Sequence, residues 1–305
     1  MKSLHFQLLD GGMGRELQRI GAPFEQPQWS ALALMQAPNY VKQVHQHFIN
    51  AGADILTTNT YALVPYHISE PVFSERALEL ANEAARITRE CTDEANRKSS
   101  KGSEIRVAGC IPPAFGSYRP DLFDAEQLAR ILSPLIIAQE NYIDFWLVET
   151  VSSIDEANCV IELIKGKSTK PIWLSYSLQN RHDFLAPVRL RSNELLTDAL
   201  DITEQLEALL FNCSQPEEME DAIRLAHQHN ASLTLGAYAN SFSEIKREHD
   251  ANAMLSTLRE DVSPDKYRSF AERWVDAGAS VIGGCCGIGP EHIAELNELR
   301  NSKSL

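Results

Sequence analysis

Along most of the chain, short apolar runs alternate with longer stretches in which apolar residues return every three or four positions. The short runs lie at residues 6–10, 54–58, 105–110, 144–149, 172–177, 208–212, 232–236 and 280–284. Near-continuous apolar runs of this length read as strands buried on both faces, the pattern of a parallel sheet covered by helices. Helical periodicity is clearest over residues 40–50, 73–97 and 125–141. Ser152 and Asp155 stand where a cap would open the helix after the fourth strand. Ser214-Gln215-Pro216-Glu217-Glu218 and Gly289-Pro290-Glu291 open the helices after the sixth and eighth strands, with proline at the first turn and early acids. Ala51-Gly52-Ala53 and Ala277-Gly278-Ala279 place glycine where two helices end and the next strands begin.

Eight such alternations without a break in composition predict an α/β protein, a single (β/α)8 TIM barrel spanning residues 1–305 as one domain. An open doubly wound sheet would normally carry a GxGxxG phosphate loop after its first strand. The loop here, Asp10-Gly11-Gly12-Met13-Gly14-Arg15-Glu16, has a different glycine spacing. Residues 97–102, reading RKSSKG, are the one low-complexity stretch and are expected to form a polar surface loop.

Composition narrows the function. A hydrophobic share of 44% in 305 residues suits one large core. No run approaches the roughly 18 apolar residues of a membrane span, and the N-terminus lacks the apolar run and cleavage site of a signal peptide. The expectation is a cytoplasmic protein with no membrane partner. A net charge of -14, with no basic stripe, argues against nucleic acid. The partners expected are small molecules; oligomeric state is not legible in the sequence.

The chemistry then rests on cysteine. Six cysteines in a chain this long do not form a disulfide scaffold, and a reducing compartment leaves them for metal binding, catalysis or packing. Cys213 closes the sixth predicted strand and Cys285-Cys286 the eighth, at the end of the barrel where such enzymes keep their chemistry. Neighbouring strand residues point to opposite faces, but Gly283, Gly284 and Gly287 allow the backbone to turn both sulfurs to one point. Three thiolates around Zn²⁺ leave one tetrahedral position open. Such an anionic site is a poor generator of hydroxide and favours alkylation of an added thiol. A redox dithiol is the rival reading, although no CxxC is present. Cys91 and Cys159 fall inside predicted helices and read as packing, and Cys110 ends the third strand, where it would face the site.

These residues resemble the homocysteine S-methyltransferase family. The resemblance is carried by Gly283-Gly284-Cys285-Cys286-Gly287 with Pro290-Glu291-His292-Ile293, and by Phe211-Asn212-Cys213-Ser214. It extends to Leu9-Asp10-Gly11-Gly12-Met13-Gly14-Arg15-Glu16-Leu17, Thr58-Asn59-Thr60-Tyr61 and Glu149-Thr150-Val151, from about residue 7 to 300. It implies zinc held by Cys213, Cys285 and Cys286. It also implies that Asp10 and Glu149 meet the amino group of homocysteine and that backbone N–H groups near Gly11, Gly12 and Met13 receive its carboxylate. The chain's own pattern agrees, since both acids end predicted strands; the plainer reading is a turn cap for Asp10 and a helix cap for Glu149. The loops Gly109–Tyr118 and Leu235–Phe242 depart from the family's GPYGA-like and YPNSG patterns.

The activity implied is methyl transfer from an onium donor, S-methylmethionine or S-adenosylmethionine, to the thiol of homocysteine, giving methionine. Tyr61, Phe115, Tyr118, Tyr238 and Phe242 are candidates to contact the donor cation. Betaine is an alternative donor on the same barrel, although the relatives that use it resemble a longer chain; a folate donor acting through cobalamin would need further domains and a DxHxxG motif. A selenohomocysteine acceptor is an alternative on the same barrel. A zinc-dependent hydrolase or aldolase would want histidine or carboxylate ligands, yet His45 and His47, like His227 and His229, fall on different helix faces. His292 reads as a capping or surface residue. A zinc or redox module without catalysis completes the alternatives.

Overall fold

The computed structural model describes residues 5–98, 104–243 and 257–302, so residues 99–102 of the polar loop lie outside the described residues. Eight strands form one parallel sheet: β1 (Gln7–Leu8), β2 (Ile55–Thr57), β3 (Arg106–Ile111), β4 (Phe145–Val151), β5 (Ile172–Tyr176), β6 (Ala208–Asn212), β7 (Thr234–Tyr238) and β8 (Val281–Ile282). Each pairs with its sequence neighbour, and β8 pairs with β1. A parallel bridge between Leu9 and Ile55, with Asp54 N–H donating to Leu8 O at 2.7 Å and Asp10 N–H to Ile55 O at 3.0 Å, joins the first two strands and closes the ring. The expected barrel is the observed one.

Helices wrap the outside. After β1 come α1 (Met13–Arg19), α2 (Ser30–Gln36) and α3 (Pro38–Ala51); after β2, α4 (Pro65–Ile68) and α5 (Glu70–Lys98). Single helices follow the later strands: α6 (Ala125–Gln139), α7 (Ile154–Lys165), α8 (Leu196–Ala199), α9 (Pro216–His229), α10 (Pro264–Ala277) and α11 (Pro290–Ser302). The strands read as continuous apolar runs because both of their faces are covered. One buried set, including Leu9, Ile55, Phe145, Leu147, Trp173, Leu210 and Val281, fills the barrel interior, while a larger set packs strands against helices.

Differences from the expected elements have local causes. The seventh strand starts at Thr234 because Asn230 Oδ1 holds Ser232 in a turn, accepting from its N–H at 3.1 Å and its hydroxyl at 2.7 Å. Ser153, one residue from the expected cap, opens α7 by accepting from Glu156 N–H. Gln215 is the N-cap of α9, with Pro216 in its first turn, and Ser214 turns inward to accept Leu178 N–H at 2.7 Å. The fifth crossover is not an ordinary helix. Antiparallel bridges Leu178–Leu190 and Arg189–Leu195 shape a loop, followed only by α8 and the 3-10 turn Leu200–Gln205. Its sequence, polar and interrupted by Pro187, has no helical period to bury. Gly52, at φ 104°, ends α3 in the left-handed region, as the Ala-Gly-Ala break requires. Among the described residues no helix is long and apolar enough to cross a membrane.

Candidate metal centre and substrate pocket

The C-terminal ends of the strands surround a cavity of about 190 Å³. Cys213, Cys285 and Cys286 form part of its wall, with Asp10, Gly11, Gly12, Met13 and Glu149 beside them. All the residues singled out in the sequence for metal and substrate therefore meet in one pocket.

The three sulfurs lie within 4.8 Å of one another. Thiolates bound tetrahedrally to Zn²⁺ at about 2.3 Å would sit about 3.8 Å apart, so the cluster fits a metal with a small contraction. The backbone supplies the convergence. Cys213 adopts φ 47° at the end of β6, which turns its sulfur into the mouth. Past β8, Gly284 N–H donates to Asp10 O and Cys285 N–H to Ala239 O, while Cys286 O accepts from Ser241 N–H, each at 2.9 Å. Gly287 follows at φ 83°, a conformation that glycine adopts without strain. The thiols already share protons: S–H donors from Cys285 and Cys286 hold the Cys213 thiol well below its ordinary value. The same contacts push Cys285 and Cys286 well above theirs. A divalent cation is what would ionise all three together.

Neither acid pairs with a Lys or Arg among the described residues. Asp10 is 5% exposed and accepts Thr57 N–H at 2.8 Å and Thr57 Oγ1–H at 2.9 Å. Burial, outweighing those bonds, pushes its carboxyl up to about 7. Glu149 is half-buried, and burial pushes its carboxyl up to about 8, opposed by a hydrogen bond from the Cys110 thiol and reinforced by the charges of Cys213 and Asp10. The buried Cys110 thiol thus faces the site, as its place at the end of β3 suggests. Glu149 is not the cap of α7, a role that Ser153 fills, and the Asp10 carboxyl is taken up by Thr57 in β2. The remaining cysteines match their packing role: Cys91 is buried in α5 and Cys159 half-buried in α7, and all six are free thiols.

Three expectations need correction. Gly12 N–H donates to Ile288 O at 2.9 Å, so that amide ties the first loop to the last one instead of pointing at a ligand. Its lack of a side chain is what allows this, because a Cβ there would meet Cys285 O at 2.6 Å. Phe115 packs edge-on against Phe123, 6.1 Å between centroids, and does not line the pocket; Tyr61, Tyr118, Tyr238 and Phe242 do. His292 does serve the start of α11, with Nδ1 accepting Gly289 N–H at 3.2 Å, but it is buried and its Nε2 faces Val262 O at 3.1 Å.

The structure also adds residues. Phe24, Trp29 and Arg15 bring further aromatic surface and one cation to the outer pocket, with Arg15 5.9 Å above the Phe242 ring. Phe24 and Trp29 come from the long connection between β1 and α3, where no local pattern signals a site; Arg15 lies in the first-loop motif, which assigned its side chain no role. Asn212 and Thr150 have structural roles that their sequence neighbours do not announce. Thr150 has φ 60°, unusual for a β-branched residue, and Asn212 hydrogen-bonds both its N–H and its hydroxyl.

A barrel whose mouth joins three thiols, placed so that they could hold a metal, to one buried and one half-buried carboxyl defines a class, the barrel enzymes that work on a sulfur substrate. The chain belongs to the homocysteine S-methyltransferase family, whose sequence model matches residues 7–300, and it is a methyltransferase. It is 27% identical over 320 residues to homocysteine S-methyltransferase 1 of Zea mays, covering 97% of this chain and 95% of that one. It is 26% identical over 320 residues to a selenocysteine Se-methyltransferase of Brassica oleracea var. italica, covering 96% and 88%. The metallated form of the Escherichia coli homocysteine methyltransferase MmuM shares the fold, with a TM-score of 0.79, 24% identity, and coverage of 97% of this chain and 96% of that one.

Proposed function

We propose that Cys213, Cys285 and Cys286 hold Zn²⁺ and that the enzyme transfers a methyl group from a sulfonium donor to the thiol of homocysteine, giving methionine. The observation that carries this reading is the pair of cation-free carboxyls, Asp10 and Glu149, beside the thiol cluster. Zinc in that cluster would lower the acceptor thiol's pKa and keep its sulfur nucleophilic at neutral pH.

The chain's own groups bind and orient. Asp10 and Glu149 take the acceptor's ammonium, whose positive charge relieves the like-charge repulsion between them. The amides of Gly11 and Met13 receive its carboxylate, with Gly12 holding the loop in place. Anchored at both ends, the acceptor presents its sulfur to the donor in a fixed direction. The S–CH₃ bond forms as the donor's C–S bond breaks; the acceptor's proton passes to solvent and the donor leaves as a neutral sulfide. Tyr61, Tyr118, Tyr238 and Phe242 line the pocket and shield the sulfonium from water. Arg191 and Arg15 already lie over one face of Tyr118 and Phe242, which leaves the cation their other faces or the remaining rings. S-methylmethionine and S-adenosylmethionine both supply that group. A selenol of the same chain length, selenohomocysteine, would fit the same pocket, and the similarity to a selenocysteine Se-methyltransferase supports selenium as an acceptor atom.

The test is a methyl-transfer assay with homocysteine against S-methylmethionine, S-adenosylmethionine and betaine in turn, with metal content measured on the same sample. Methionine formed from a sulfonium by protein carrying about one zinc per chain is the expected result. Zinc-loaded protein that methylates no thiol or selenol from any of these donors would overturn the reading.

A further inference from the structure

β4 carries one residue more than β5 between the pairs Val148–Leu174 and Val151–Tyr176, so Glu149 and Thr150 together face Ser175. A bulge of this kind orphans a backbone group and re-aims the side chain beside it. Here the orphan is claimed from the next strand but one, β6. Asn212 Oδ1 accepts Thr150 N–H at 3.0 Å and Ser175 Oγ–H at 2.8 Å, and Asn212 Nδ2 donates to Thr150 Oγ1 at 2.9 Å. Asn212, Thr150 and Ser175 are all inaccessible to solvent, so water cannot replace these bonds.

What the amide joins is the point. Thr150 follows Glu149, and Cys213 follows Asn212; both Thr150 and Cys213 are in the left-handed region, at φ 60° and 47°. One buried side chain therefore fixes two strained strand ends against each other. One of those ends carries the carboxyl for the ammonium, and the other carries a sulfur of the cluster. The distance between these two points must match the distance from amine to thiol along the acceptor.

We propose that Asn212 is a positioning residue that sets this separation, and thereby selects an amino thiol with two methylenes between Cα and sulfur over one with a single methylene. The proposal rests on the acceptor reading above. A thiol one methylene short cannot reach the cluster while its ammonium stays at Glu149. A pinned bulge enforces that mismatch, and a loosened one lets Glu149 shift to follow the shorter chain.

The experiment compares homocysteine with cysteine as acceptors, in the zinc-loaded wild-type enzyme and in Asn212→Ala. It reads kcat and KM separately, calorimetric binding of both thiols and metal content. The wild type should prefer homocysteine by on the order of 100-fold in kcat/KM, within the range a methylene can contribute. Asn212→Ala should raise KM for homocysteine about tenfold, cut the preference to about tenfold or less, and keep its metal. Thr150→Gly, which makes the positive φ free of strain, should restore part of the preference when added to Asn212→Ala. If Asn212→Ala does not fold, Thr150→Val removes only the hydroxyl that accepts from Asn212 Nδ2, adds no charge, and should lower the same ratio. A preference unchanged in the folded variant, or metal and binding of both thiols lost in equal measure, would overturn the proposal. A wild type that methylates neither thiol would refute the acceptor reading instead.

Discussion

The two ends of the barrel treat their acids in opposite ways. At the N-terminal end, an acid precedes each of β2, β4 and β6, and each has a partner. Asp54 accepts Leu8 N–H at 2.9 Å and pairs with Arg300; Asp144 accepts Val107 N–H at 2.6 Å and pairs with Arg89 at 2.9 Å; Glu207 accepts Trp173 Nε1–H at 2.9 Å. Arg106 closes this end, 4.8 Å above the Phe145 ring and 5.1 Å above that of Trp173. At the C-terminal end, Asp10, Glu149 and Glu156 have no Lys or Arg pairing with them among the described residues, and burial raises all three carboxyls, to about 7, 8 and 7. At one end, Asp54 and Asp144 are each paired with an arginine, and the exposed Glu207 rests on an indole N–H. At the other, Asp10 and Glu149 line the pocket with raised carboxyls that a cationic ligand would ionise, which marks it as the binding end.

The largest effect should come from the thiol cluster, which makes the mouth a metal site. Cys285→Ser replaces a soft ligand with a hard one and should abolish metal binding, with activity falling by at least about 10⁴-fold. Metal analysis and the transfer assay check it; full activity in metal-free variant protein would remove the thiol cluster from the chemistry. Glu149→Gln keeps the shape but removes a charge from the ammonium site. It should keep its metal and raise the acceptor KM by about 10²–10³-fold, the usual cost of unpairing a buried charge. Acceptor titration on both proteins decides it, and an unchanged KM would leave Glu149 a structural role only.

This division between the ends was only partly legible in the sequence. The barrel and the cysteines were visible because each leaves a local mark: apolar runs buried on both faces, and thiols beside glycines at strand ends. Asp10 and Glu149 could be placed for the same reason, by counting along their strands. The pin at Asn212 could not, since it depends on a one-residue bulge in β4 meeting the end of β6, 62 residues later in the chain. Phe24 and Trp29 reach the pocket through a connection with no strong period, and Gly12's use of its own amide depends on the loop after β8. The missed features are those in which two distant segments must be placed before either has a role.

A third test uses pH. Glu156 is 6% exposed, its Oε2 accepts Ser152 N–H at 2.8 Å, and burial raises its carboxyl to about 7 from an ordinary 4.5. Between those values the unfolded chain has released the proton and the folded one has kept it, so stability falls as pH rises and levels off above about 7. The penalty would reach about 2–3 kcal/mol. Glu156→Gln keeps an acceptor for Ser152 and cannot ionise, so it should flatten the pH profile and gain most at pH 8. Thermal unfolding from pH 4.5 to 8 reads the difference, and parallel profiles for the two proteins would show that the buried acid is compensated after all.

The smallest effect belongs to the opposite end. Arg300 pairs with Asp54, donates to Asn297 Oδ1 at 2.8 Å and to Gly52 O at 3.2 Å, and thereby fastens α11 across the start of β2. Its side chain is 19% exposed and that of Asp54 25%, so water reaches both and limits what the pair contributes. Arg300→Ala leaves Asp54 its bond from Leu8 N–H and should cost about 1 kcal/mol, a fall in Tm of about 2 °C for a chain of this size. Because Asp54 stands at the far end of the barrel from Glu149, acceptor KM and metal content should not move. A change in KM comparable to the stability loss would mean that the two ends are mechanically coupled, and that the ion pairs at one end help to hold the raised carboxyls at the other.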